Sequence, residues 1–414
     1  MLLRLDRSIA LVTLLALSAL LMGCVGTSQT SSLSTSGAGS GTGGNSVPGY
    51  GVGTGASGQT AAAKFLYANP AGPGGPYALG IQSGGLLTLA TSGSADNNDP
   101  MTMAIDPSGS YLFQTGEGYD GGTLGGLFAF VINRSDGSLT TASGSPYMTG
   151  QSFFADVVDN SGKFLYVQGA SGVYAFSIQS GGVLSPVSGS PFADAGAPSS
   201  AGFPTPGNLM AVDQLNRFLY VSTSAGISAY TMDPSTGQLT AISGSPFSSS
   251  VSGSWTLAVT PNNSFLYQLQ STNTGVMYGY SIDPSTGALT AIAGSPFNIG
   301  DCGSTMTGIP GPDNITIPSA GKFMYTNCGI YSLNNTTGAV TQISDSGPGD
   351  WPVIDPTGDF LWAITDQANC FQCDVGVTTY QVDPTSGSLT AVPNSFIVLT
   401  NTQVNDLDGL AITN

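Results

Sequence analysis

From residue 64 onward, apolar residues fall in short runs separated by tight polar turns rich in Gly, Pro, Asp and Ser. Runs of this kind predict strands, and their continuous rather than alternating apolarity predicts strands covered on both faces. A run of the form KFLYV recurs at Phe65, Tyr111, Phe164, Phe218, Phe265, Phe323 and Phe360, at intervals of 37 to 58 residues. Each copy is followed by a second apolar stretch, such as VYAFSI or ISAYTM, then a DPSTG-like turn and a third stretch such as LTAISGSPF. A fourth precedes the next KFLYV across a turn such as DPSG or DNSG, with Met103, Asp156, Met210, Leu257, Ile315 and Pro352 in its successive copies. The seventh of these is LAITN, at the end of the chain.

Four strands per unit at this period predict an all-β chain, a seven-bladed β-propeller with four-stranded antiparallel blades. Naming the strands a to d outward, the first unit begins with strand b at Phe65, and Leu410 to Thr413 supply its missing strand a. The C-terminal strand thereby pairs into the first blade and closes the ring. The a–b and c–d turns share one face and are all short. The b–c and d–a loops share the other, which carries the long insertions after Thr115, Phe192, Phe297 and Ile364. Variable loops on a repeated scaffold are where binding is usually placed. The string TMDPSTGQLTAISGSPF, from Thr231, returns fifty residues later as SIDPSTGALTAIAGSPF. Its Asp and Gly suit turn chemistry, and one such turn holds too few carboxylates for calcium.

The pattern of apolar strand, DPSG, KFLYV, second strand, DPSTG, LT and SGSPF resembles the lactonase-type seven-bladed propellers, the 6-phosphogluconolactonase-like and YVTN-repeat proteins. The resemblance covers nearly all of residues 64–414 and implies this fold, with lactone hydrolysis as the implied activity. Characterised relatives use His, Glu and Arg around the channel. This chain has no His, its only Glu is Glu117 in a loop, and Arg134 and Arg217 map to the short-turn face, so no catalytic residue carries over.

The first residues add a compartment. MLLRLDR followed by SIALVTLLALSALLM reads as an export signal over residues 1–23, and Leu21 to Cys24 resemble a lipobox with Cys24 as the lipidated residue. Val25 after it favours the outer membrane. Residues 24–63, almost all Gly, Ser, Thr and Ala, read as a flexible tether with a reach of about 35 Å. The propeller then spans 64–414.

Charge sorts the faces. The full chain has 24 acids and 7 bases; without Asp6, Arg4 and Arg7 of the signal it has 23 and 5, a net −18. Nucleic acid is therefore excluded as a partner. All five remaining bases, Lys64, Arg134, Lys163, Arg217 and Lys322, belong to the short-turn face, whereas the long-loop face is acidic. On that face the candidate ligand residues are Asp99, Glu117, Tyr119, Asp120, Phe154, Asp156, Trp255, Asp313, Asp350, Trp351, Asp406 and Asp408. Two Trp at equivalent positions suit a sugar stacked on indole, and acids without cations suit a neutral or cationic ligand. Asp156 stands apart because its equivalents are apolar; the alternatives are a functional acid lining the channel and a merely solvated one.

Four further cysteines lie on the long-loop face. Disulfides Cys302–Cys328 and Cys370–Cys373 are expected in an exported protein, with a four-thiolate zinc site as the rival reading. Without His, Ser-His-Asp and Cys-His catalysis are excluded, which leaves paired carboxylates. These readings add up to a monomeric, lipid-anchored propeller without a cofactor, binding a sugar, another neutral or cationic ligand, or an envelope protein. The alternative is a lactonase-like or other carboxylate-dependent hydrolase acting on a neutral sugar or lactone.

Overall fold

The computed structural model describes residues 64–70, 75–91, 100–116, 125–196, 208–247, 256–270, 275–300, 314–366, 375–399 and 407–413. They form a seven-bladed β-propeller in which six of the seven sheets run a-b-c-d from the inside outward. Blade 3 is representative, with strands Phe153–Val158, Phe164–Gly169, Gly172–Ile178 and Leu184–Pro186. The only helical pieces described are two three-residue turns, Ser83–Gly85 and Ser180–Gly182, and none is long and apolar enough to cross a membrane.

The ring closes as the repeat count requires. Leu407–Ile412 pairs antiparallel with Phe65–Pro70, setting Tyr67 opposite Ala411 and Ala68 opposite Leu410. The Phe65 N–H donates to Thr413 Oγ1 at 2.9 Å, and the Thr413 N–H returns a bond to the Phe65 carbonyl at 2.9 Å. Blade 6 departs from the pattern. Its sheet has three strands, and its inner edge shrinks to one bridge between Thr316 and Tyr325. Pro318 follows at once, and without an N–H it cannot extend that ladder.

The core is divided among seven buried clusters, and each joins two neighbouring blades. Continuous apolarity of the KFLYV strands follows, because each strand b faces a seam on both sides. The repeated residues are seam fittings. The Tyr220 hydroxyl donates to the Gly287 carbonyl of the next blade at 2.9 Å, and Tyr67, Tyr166, Tyr267 and Tyr325 do the same to Gly137, Gly237, Gly338 and Gly387. In blade 7 the Trp362 indole replaces the phenol and reaches Gly85. Blade 2 has Phe113 at this position, and there the Tyr111 hydroxyl instead accepts the Gly181 N–H.

These glycines are required twice over. Gly287 has φ +74°, and a Cβ there would lie 2.5 Å from the Phe218 ring and 2.6 Å from Ile242. The first aromatic of each KFLYV run therefore packs on a bare glycine of the next blade's c–d turn, DPSTG-like in five blades and Ser-Gly-Gly at Gly85 and Gly182. Within the turns the acids act on backbone: Asp159 Oδ1 accepts N–H bonds from Lys163 and Phe164, both at 2.8 Å, and Asp233 Oδ1 accepts those of Ser235 and Thr236. The SGSPF string ends the blade in the same spirit. Ser245 Oγ accepts the Ala229 N–H of strand c at 2.9 Å, Pro246 follows a cis bond, and Phe247 pairs with Ile227.

Candidate functional site

Among the described residues, all five bases of the expected mature chain stand at the short-turn end: Lys163, Arg217 and Lys322 in a–b turns, Arg134 in the c–d turn of blade 2, and Lys64 just before strand b of blade 1. Arg217 is committed there: its guanidinium pairs with Asp213 at 2.8 Å and donates to the Pro284 carbonyl of the next blade. The opposite end, where strands a begin and strands b finish, is built of acids, amides and hydroxyls.

Asp156 lies in the inner strand of blade 3. Register places it level with Met103, Met210, Leu257, Ile315, Pro352 and Leu410 of the other inner strands. Those six are apolar and face the seam with the preceding blade. Asp156 faces the seam between blades 2 and 3, is 7% exposed, and accepts a 2.6 Å bond from the Thr102 hydroxyl on Oδ1. Thr102 is in turn 2.8 Å from Thr115 Oγ1. Oδ2 has no partner among the described residues. Burial pushes this carboxyl up to about 7, against the opposing pull of the Thr102 hydroxyl and the Ala104 N–H.

A set of buried amides accompanies it at the ends of strands b. Gln114 Nε2 donates to Asn69 Oδ1 at 2.6 Å, joining blades 1 and 2. Gln168 Nε2 donates to the Ser222 carbonyl at 2.9 Å, joining blades 3 and 4, and Gln268 Nε2 approaches Ser222 Oγ from blade 5 at 3.4 Å. Each leaves one polar atom unpartnered: Asn69 Nδ2, Gln114 Oε1, Gln168 Oε1 and Gln268 Oε1. Asp194, in the loop after Phe192, accepts the Gly196 N–H on Oδ1 and leaves Oδ2 unpartnered. Burial raises its carboxyl, opposed by the Gly196 N–H and the Gln168 amide. Across the other side of the channel, Asn208 Nδ2 donates to Asn314 Oδ1 at 2.9 Å, and Asn314 Nδ2 to the Pro352 carbonyl at 3.0 Å. That tie links the inner strands of blades 4, 6 and 7.

No family model matches the chain, and no curated protein sequence matches it. Solved structures do. A candidate 6-phosphogluconolactonase from Bacteroides uniformis superposes with TM-score 0.63 at 16% identity, over 85% of this chain and 99% of that one. A second, from Bacteroides fragilis, gives 0.63 at 13% identity, over 87% and 100%. The periplasmic gluconolactonase of Pseudomonas aeruginosa gives 0.61 at 13% identity, over 85% and 99%. The fold is that of the lactonase-type propellers. At such identities the likeness extends to the fold alone.

Within this propeller the expected ligand residues separate. Asp99, Glu117, Tyr119, Asp120, Trp255, Asp313 and Asp406 lie outside the described residues, as does the side chain of Asp408. Asp350 opens the inner strand of blade 7, half-buried at the long-loop end. Trp351 and Phe154 belong to the core instead. Trp351 has φ +50°, is 3% exposed, and its indole N–H donates to the Leu410 carbonyl at 3.0 Å, so it pins the closing strand and offers no face for a ligand. Phe154 is buried in the cluster between blades 3 and 4. Cys328 is disulfide-bonded, whereas Cys302, Cys370 and Cys373, like Cys24, lie outside the described residues. The buried amides and the Asn208–Asn314 tie escape a reading by repeats. The only signal of the glutamines is a polar residue ending the apolar run of strand b, as in YLFQTG and FLYVQG.

Proposed function

We propose that this chain is an exported, lipid-anchored propeller that binds a neutral, hydroxyl-rich ligand, a sugar or sugar lactone, at the long-loop end of its channel. The observation that carries this reading is Asp156, the one carboxyl in an otherwise apolar level of the inner strands, with an unpartnered oxygen. Unpartnered acceptors on Gln114, Gln168, Asp194 and Gln268 and one donor on Asn69 accumulate at the same end. Buried polar atoms of both kinds, without a cation among the described residues there, favour a ligand that donates and accepts but carries no phosphate. A phosphorylated lactone is disfavoured by the net charge of −17 as well.

Hydrolysis is the second reading. The fold likeness to a protein named as a periplasmic gluconolactonase favours it, as does a buried carboxyl able to hold a proton for a leaving oxygen. Calorimetric titration with neutral aldonolactones and sugars, run beside a lactone hydrolysis assay, separates the two. Saturable binding without turnover is expected, weakened about tenfold to a hundredfold in Asp156→Asn by loss of a charge-assisted bond. Failure of every neutral sugar and lactone to bind would sink the proposal; turnover abolished by the same substitution would replace it with the hydrolase.

The anchor and the remaining bridges belong to the same proposal. Lipid on Cys24 holds the protein at the outer membrane, Cys328 pairs with Cys302, and Cys370 pairs with Cys373. Labelling with palmitate that survives in the wild type and vanishes in Cys24→Ser tests the anchor. Peptide mapping without reduction tests the bridges.

A further inference from the structure

Six of the seven seams present an apolar side chain at the level of Asp156; the seam between blades 2 and 3 presents a carboxyl. We propose that this seam is a proton-operated latch, in which the Thr115–Thr102–Asp156 chain holds the two inner strands together while Asp156 keeps its proton and slackens when the proton leaves.

The chemistry follows from counting hydrogens. Each threonine hydroxyl has one. With Asp156 ionised, Thr102 spends its hydrogen on Oδ1 and accepts from Thr115, so the chain points toward the carboxylate, and Oδ2 is left with half of a full charge and no donor among the described residues. With Asp156 protonated on Oδ1 the direction reverses: the carboxyl donates to Thr102 and Thr102 donates to Thr115. Two bonds tie the strands in either state; in the protonated one the Thr115 hydrogen is freed from the chain and no charge is buried. The proton comes from and returns to solvent, and no covalent bond between heavy atoms changes.

Among the described residues the ionised form is favoured by the Thr102 hydroxyl and the backbone N–H of Ala104, and no cation faces it. The strands packed around it, Pro100–Ile105 and Tyr111–Gly116 of blade 2, Phe164–Gly169 of its own blade and Met210–Val212 of blade 4, contain no Asp, Glu, Lys or Arg. Their titratable side chains are Tyr111, whose oxygen accepts the Gly181 N–H, and Tyr166, whose hydroxyl is held by Gly237. Asp106 and Asp159 flank these inner strands at the short-turn end and are tied to their own turns. Burial therefore outweighs these donors and brings the proton exchange of the carboxyl into the neutral range.

Hydrogen exchange of the whole chain between pH 5 and 8, corrected for intrinsic rates, tests this. An opened seam returns Asp156 to the ordinary carboxylate range, so opening of Pro100–Ile105 and Phe153–Val158 should grow about tenfold per pH unit up to about pH 7 and level off above it. Thr256–Val259 in blade 5, with Leu257 at the same level, should stay flat. Asp156→Asn and Asp156→Leu should both abolish the dependence, the second matching the other seams in chemistry. Thr102→Val should move the break to higher pH, because it removes a donor to the charged form. A wild-type seam without pH dependence, an Asp156→Asn seam that keeps it, or an unmoved break in Thr102→Val would each overturn the latch.

Discussion

Removing the last eight residues, 407–414, tests how the ring is closed. Leu407 and Leu410 are 0% and 4% exposed in the cluster between blades 7 and 1, and full burial of each contributes about 1.5–3 kcal/mol. Their loss also strips partners from the blade 1 strand Phe65–Pro70 and from the buried Trp351 indole, at about 1–3 kcal/mol for each polar group left unpaired and out of water. The sum is comparable with the whole net stability of an ordinary domain, about 5–15 kcal/mol. The truncated chain should therefore lose its cooperative transition or melt more than about 10 °C lower. Leu410→Ala is the graded version, expected to destabilise by about 2–5 kcal/mol through burial and cavity terms together. Leu215→Ala, at a turn residue 63% exposed, is the control and should shift stability by under about 0.5 kcal/mol. Scanning calorimetry with circular dichroism gives all three. A truncated protein that melts like the wild type would mean that the terminal strand is not what closes the ring.

Gly287→Ala should destabilise by about 2–4 kcal/mol, from the left-handed backbone plus overlap with Phe218, whereas Gly181→Ala, at φ +77° with nothing within 4 Å, should cost only about 1 kcal/mol; denaturant midpoints compare them. Tyr220→Phe should lose about 1–2 kcal/mol by leaving the Gly287 carbonyl unpaired, measured the same way. Stability should fall as pH rises between about 4 and 7, because folded Asp156 keeps a proton that the unfolded carboxyl has released. Three pH units correspond to about 4 kcal/mol at most, and thermal melts of wild type against Asp156→Asn read the difference. A reductant should lower the melting temperature of the wild type and leave Cys328→Ser at its own reduced value, since the Cys328 bridge is then absent in both.

What could be read from the chain alone was whatever repeats. The KFLYV runs mark strand b, the missing first strand a predicts the closure by Leu407–Ile412, and the pairing Tyr67 with Ala411 meets that expectation. The reason each repeated residue is there was not legible. Tyr220 and Gly287 stand 67 positions apart, and only the stacking of neighbouring blades brings hydroxyl to carbonyl. SGSPF likewise looks like a generic turn until Ser245 is seen satisfying the Ala229 N–H. Trp351 misled for a related reason. Its position just before the inner strand suggested the channel mouth, but a left-handed backbone turns the indole into the seam with the closing strand.

The same logic explains why the site is only half legible. A residue that breaks a repeat can be recognised because its equivalents say what packing demands there. Asp156 is visible in this way: Leu257 and Leu410 show that its seam calls for an apolar side chain, so a carboxyl must answer to something other than packing. Gln114, Gln168 and Gln268 are different, because the ends of strands b vary in every blade and no consensus exists for them to violate. Their significance comes from what they fail to satisfy in three dimensions, an amide held on one side and unpartnered on the other. Buried polar atoms left in that state destabilise the fold unless something else engages them. Asp156 and the amides accumulate at the end of the barrel where the loops differ, while the short-turn end satisfies its acids with its own backbone. On the proposed reading, ligand selection rests with the unpartnered polar atoms at the seams of blades 1 to 5.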